Sequence, residues 1–175
     1  MSVERYYRGW HLANESLIAA IAPLTADQLA LPVGPSGWQV WSIVSHVAGA
    51  RVYWLCGVFG EPGAATTPLP EPGVSWEDDP SHPRGADELV HALTTTWGLV
   101  RRALEQWAPD TLSREAERRI GDVVQLHSRQ SVIMRMITHD AYHCGEIAQA
   151  LGPAGLGGRG PNGPIDMWSG LSRRA

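Results

Sequence analysis

Lysine is missing altogether: every one of the fourteen basic residues in this 175-residue chain is arginine. That excludes Schiff-base chemistry on a lysine and phosphate loops that depend on one. Cysteine is almost missing, with only Cys56 and Cys144, both inside helical patterns. Two such thiols make no disulfide framework, and reduced cysteines are the expectation. Basic excess is lacking as well. A formal charge of −4 gives no electrostatic reason to expect nucleic acid. Long apolar runs are absent: Leu17 to Leu24 is too short to span a bilayer, and the N-terminus has no signal-peptide layout. A cytoplasmic protein without a membrane partner is expected.

What is present suffices for an ordinary core. With 43% hydrophobic residues and 18% charged ones, residues 1–175 read as a single domain. Four helical patterns stand between Gly- and Pro-rich stretches. The first runs from about Val3 to Ala22, with Tyr6, Trp10, Ala13, Leu17 and Ile21 near helical spacing. The second follows Gly34-Pro35-Ser36, where Ser36 and Gln39 match a capping box, and reaches about Phe59. The third spans Ala86 to Trp107 and closes at Pro109; the fourth spans Arg129 to Leu151 and stops at Gly152-Pro153. No run alternates cleanly as a strand. Asp122 to Leu126 fits a short extended segment, marginal if isolated.

Two stretches fall outside the helices. The connection Gly60–Gly85 carries six prolines and the acidic-aromatic run Trp76-Glu-Asp-Asp79, longer than an antiparallel helix pair needs. It is either functional, as a lid over a site, or ordered decoration. Residues 152–175 begin with six glycines and three prolines up to Pro164, then place Met167 and Trp168 where they would gain by packing back.

The chemistry concentrates in His139-Asp-Ala-Tyr-His143-Cys-Gly-Glu146. Histidines four apart project from one helix face and can converge on a divalent ion. The zincin protease motif is absent, because Asp140 rather than Glu follows the first histidine. A third nitrogen is best sought at His46 in the second pattern, which Ser42, Gly49, Ala50 and Tyr53 surround one turn or two away. Small neighbours leave room for an open coordination position, and the Tyr53 hydroxyl could bond a ligand. On the helical wheel Ile133, Met136, Ile137, Cys144, Ile147 and Leu151 form the apolar stripe, with both histidines at its edge and Glu146 beyond. Asp140 points into that stripe, so it needs a buried partner and is read as structural. Cys144 is read as a packed core thiol rather than a nucleophile. Arg51 and Arg135 are candidates for a substrate carboxylate, and Trp76 or Trp168 for a pocket wall. His11, His82, His91 and His127 have no partner spacing.

These residues resemble the DinB/YfiT-like superfamily of metal-dependent bacterial enzymes. Its mark is a histidine in helix two and H-x3-H-x-G-[QE] in helix four, matched by His46 and by His139 to Glu146. The resemblance covers roughly residues 1–151; Tyr142 and Cys144 stand where many members carry His and Arg. It implies an all-α fold, a four-helix bundle in up-down-down-up order, often a homodimer. It also implies that His46, His139 and His143 hold one divalent ion, Zn2+ or Ni2+. By their own positions Tyr53, on the face of His46, and Glu146, one turn from His143 as acceptor or general base, are the catalytic candidates. Relatives include transferases that use mycothiol or bacillithiol and a mycothiol-dependent maleylpyruvate isomerase. A thiol-dependent S-transferase acting on a small electrophile is therefore expected. The alternatives are a metal hydrolase attacking with bound water and a non-catalytic metal-binding stress protein.

Overall fold

Apolar spacing sets the long helices, and buried side chains decide how they meet. In the computed structural model, described here for residues 2–34, 37–156 and 163–167, a 3-10 turn at Glu4–Tyr6 leads into α1 (Arg8–Ile21). A short α2 (Ala26–Leu29) follows, opened by a capping box in which Thr25 and Gln28 bond each other's backbone N–H. Then β1 (Pro32–Val33) and β2 (Trp38–Gln39) pair antiparallel, Pro32 opposite Gln39 and Val33 opposite Trp38. The central helix α3 (Val40–Val52) continues as a π-helical segment, Tyr53–Val58. The expected Ser36 cap lies outside the described residues; the helix begins at Val40, because Trp38 and Gln39 are used by the strand.

Helix α3 is buried on nearly every side, including Val40, Trp41, Val44, Val47, Ala48 and Val52. Each such aliphatic side chain contributes roughly 1.5–3 kcal/mol by leaving water. Around it pack α4 (Ala86–Gln106) and α5 (Arg129–Leu151), with α1 against α4. Ser128 caps α5 by accepting from the Ser131 N–H, 3.1 Å away.

The all-α expectation is overturned. Among the described residues there are five helices and two two-stranded antiparallel sheets, not a pure four-helix bundle. The larger sheet joins β3 (Glu115–Ile120) to β4 (Val123–Ser128), with Gly121 (φ 56°) in the turn. The segment expected as an isolated extended piece is thus one arm of a hairpin. Its pairing escaped the sequence because the more buried face is Ala116, Arg118, Gln125 and His127, which shows no apolar alternation.

The long connection is fastened at both ends. Glu61 accepts from Trp107 Nε1 (2.9 Å) and from Arg129 (3.3 Å) at its start. Glu88 accepts from the Gly85 N–H (3.1 Å) at its finish. Of the tail, Ile165 is buried in the core, Met167 packs against it, and the Asp166 N–H donates to Ser16 Oγ (2.6 Å). Trp168 lies outside the described residues. No helix among the described residues is long and apolar enough to cross a membrane.

Candidate metal centre

Three imidazoles converge where α3 crosses α5. His46 comes from the middle of α3; His139 and His143 come from successive turns of α5. One ring nitrogen from each lies within 4.8 Å of the other two. His46 Nε2 and His139 Nε2 are 2.9 Å apart. Nitrogens bound tetrahedrally at ~2.0–2.1 Å stand about 3.3 Å from one another, a spacing this range brackets.

Carboxylates set the outward faces of two rings. Glu77 Oε1 lies 2.8 Å from His46 Nδ1, and Glu146 Oε2 lies 2.7 Å from His143 Nδ1. Each carboxylate accepts a hydrogen bond from an Nδ1–H, so the Nε2 lone pairs of His46 and His143 turn inward. Burial holds the His143 imidazole below its usual range, helped by the neighbouring histidines and opposed by Glu146. A neutral ring is the ligand form.

His139 supplies the test of fit. Its Nδ1 and the Asp140 Oδ1 are both buried without a hydrogen-bond partner, and 3.9 Å separates them, beyond hydrogen-bond reach. If His139 donates from Nε2 to His46, its Nδ1 lone pair faces that carboxylate oxygen. If the proton sits on Nδ1, facing Asp140, two Nε2 lone pairs confront each other at 2.9 Å. A cation between the nitrogens removes the conflict, so the donor set fits a divalent ion.

Glu77 was not found from sequence. It sits in the 3-10 turn Trp76–Asp78, which the long connection lays against α3. Burial pushes its carboxyl up, but hydrogen bonds from His46, Ser75 and Ser45 outweigh that and leave it below the usual range. The buried Ser45 Oγ donates to Glu77 Oε2 at 2.8 Å. The one available signal was Ser75-Trp-Glu-Asp78, a capping-box spacing in which the Ser75 N–H donates to Asp78 (3.0 Å). Gly49 makes this docking possible: a Cβ there would collide with Ser75 Oγ. Gly49 and Ala50 line the cleft beside His46 as expected, but the point a Gly49 Cβ would occupy is taken by the loop.

An open cleft of about 490 Å3 leads to His46 and His139, with Trp38, Tyr53, Trp54, Glu77, Arg118 and Arg135 among its walls. Tyr53 faces it as expected, its hydroxyl accepting from Arg118 Nε (2.8 Å). Trp38, its ring 5.1 Å from that of His46, forms a wall the sequence did not suggest. Trp76 does not line the cleft; it packs on the core beneath the Arg84 guanidinium. Glu146 lies outside the cleft too, beside Tyr142 and Gly34 in a separate depression.

Asp140 and Arg51 belong to the core. Asp140 Oδ2 accepts from Arg51 (2.8 Å) and Trp10 Nε1 (2.9 Å), and Arg51 also donates to Asn14 Oδ1 (2.8 Å). Arg51 is 1% exposed and so is no substrate contact. Burial raises the Asp140 carboxyl, but the Arg51 charge and hydrogen bonding bring it below the usual range. Cys144 is buried, its thiol pushed up to about 12 by burial and the Asp140 charge, as suits an inert core residue.

Helices packed round one core, two small sheets and a histidine cluster reached by an open cleft define a mixed, mainly helical domain with a metal-type donor set. The chain belongs to the DinB superfamily, whose family model matches residues 10–147. The crystal structure of a DinB-like protein from Bacillus cereus is similar in fold, with a TM-score of 0.64. The alignment covers 88% of this chain and 93% of that one at 16% identity. No curated protein matches the chain.

Proposed function

We propose that this is a metal-dependent enzyme in which His46, His139 and His143 hold one divalent ion, zinc or nickel. The observation that carries the reading is the convergence of three ring nitrogens, two with their Nδ1 atoms tied to Glu77 and Glu146. His46, His139 and His143, as neutral imidazoles, would leave a bound divalent ion its full charge, which would make a thiol or water held there more acidic. The chain's own residues do the rest. Glu77 and Glu146 fix the tautomers and aim the rings. Trp38 and Trp54 wall the cleft, and the Tyr53 hydroxyl can donate to a bound ligand. Glu146 acts through His143 as a positioning residue, since it does not border the cleft.

A thiol nucleophile, mycothiol or bacillithiol, suits this arrangement better than water. Hydrolysis calls for a general base within reach of the water. The carboxylates lining the cleft are Glu77, bonded to His46, and Asp78, bonded to the Ser75 N–H. Either nucleophile must give up a proton, and a thiol, far more acidic than water, would release its own to solvent without a positioned base before attacking a small electrophile.

Metal analysis of the purified protein should give one ion per chain. His143→Ala should abolish stoichiometric binding with the helices still formed, and metal retained at wild-type affinity would sink the ligand set. Titration of the metal-loaded protein with mycothiol, bacillithiol, glutathione and coenzyme A should raise the melting temperature for the cognate thiol. At a hundredfold excess over Kd the stabilisation is about 2.7 kcal/mol. No shift with any thiol counts against the transferase.

A further inference from the structure

Two arginines in the cleft differ from five others among the described residues. Arg51, Arg84, Arg101, Arg119 and Arg129 each pair with a carboxylate. Arg118 and Arg135 make no ion pair among the described residues, although Arg119, next in sequence, pairs with Glu117. Instead both guanidinium groups lie against one indole, 5.1 Å and 4.9 Å from the Trp54 ring centroid. They arrive from different elements, β3 and α5. Arg118 is held by the Tyr53 hydroxyl (2.8 Å) and more loosely by Gln125 (3.5 Å). Burial, with the charges of Arg135 and Arg118, also keeps the nearby His127 imidazole below its usual range. Both arginines line the same cleft, where their two positive charges would be offset by an anion.

We infer that Arg118 and Arg135 form an oxyanion-binding subsite for one end of the substrate, a carboxylate or a phosphate group. The guanidinium fork matches either group with paired hydrogen bonds. Position in the helices fixes the reach. Arg135 precedes His139 by four residues, about 6 Å of helical rise, and Tyr53 follows His46 by seven, about 10 Å. A short molecule with an anionic end on the arginines would present its other end to the histidines. That orientation rests on the proposed function, whereas the anion site does not.

Succinate, inorganic phosphate and uncharged succinamide, titrated into the full-length protein with and without metal, test the assignment by calorimetry and tryptophan fluorescence. Succinate or phosphate should bind saturably to the metal-free protein, and succinamide should not. Arg118→Gln and Arg135→Gln should each weaken binding at least tenfold, while Arg101→Gln leaves it unchanged. Arg118→Lys, which keeps the charge and loses the fork, should fall between, and circular dichroism checks that each variant is folded. Preference for succinate marks a carboxylic acid and preference for phosphate a phosphate ester. Wild-type affinity in both glutamine variants, equal binding of succinamide, or no binding of either anion would overturn the subsite. Arginine-dependent binding in a protein that takes up no metal would leave the subsite standing and remove the proposed function instead.

Discussion

Two carboxylates flank the same histidine cluster from opposite directions. Asp140 sits between two of the histidines in sequence, yet it faces the core and spends its Oδ2 on Arg51 and Trp10. Glu77 stands thirty-one residues from His46 in a Pro-rich connection, yet it bonds that ring directly. Helical register decides the first case: one residue after His139 is a rotation of about 100°, enough to turn from cleft to core. Loop docking decides the second. Glu146, three residues after His143, does bond its ring, so helical register and loop docking rather than nearness in sequence decide which acid reaches the histidines.

The largest effect should come from breaking the core pair. Arg51 and Asp140 are 1% and 5% exposed as side chains, so removing either leaves a buried charge uncompensated. Arg51→Met or Asp140→Asn should each cost about 3–5 kcal/mol in denaturant unfolding. The double replacement Arg51→Met with Asp140→Leu should cost less than either single change, because no buried charge remains. Acid should act on the same pair. The folded Asp140 carboxyl lies below its ordinary value, so its contribution is complete above about pH 4 and is lost as pH falls through the lower folded pKa. Unfolding measured from pH 6 to pH 3 should show a stability loss in wild type that is shallower in Asp140→Asn. Equal slopes would mean that Asp140 titrates alike in both states.

The helices and the histidine spacing were legible because they depend on local period: apolar residues every three or four, and imidazoles four apart. The need of Asp140 for a buried partner was legible too, but Arg51 was not, since nothing local links residues eighty-nine apart. The β3–β4 hairpin was hidden by its polar inward face, in which Arg118 and His127 replace the expected apolar alternation. Glu77 was hidden for a further reason. The Gly49 that admits its loop has the same residue type as a glycine that leaves room for a ligand, and only the position of Ser75 tells them apart.

The cleft-side carboxylate should show the opposite profile to Asp140. Glu77→Gln keeps a hydrogen-bonding oxygen near Ser45 and His46 but removes the negative charge that the His46 Nδ1 faces. Metal affinity should fall about 10–100-fold, with less stability lost than for Asp140→Asn. Competition with a calibrated chelator measures the first and denaturant unfolding the second; unchanged affinity would make Glu77 a loop anchor and nothing more.

Gly49→Ala asks the same question through the loop alone, and its effect should be smaller. The new methyl meets Ser75, so the turn carrying Glu77 must shift, at about 1–3 kcal/mol for overpacking. Metal affinity should then drop in the same direction as in Glu77→Gln but by less, because the carboxylate keeps its charge. Gly57→Ala is the control: its Cβ would meet Pro72 Cβ at 2.9 Å, on the same loop but five residues before Glu77. If Gly57→Ala lowers metal affinity as much as Gly49→Ala, the loop acts as one rigid cover. If only Gly49→Ala does, the loop serves the metal centre through the Ser75–Glu77 turn, which is the outcome its hydrogen bonds to Ser45 and His46 favour.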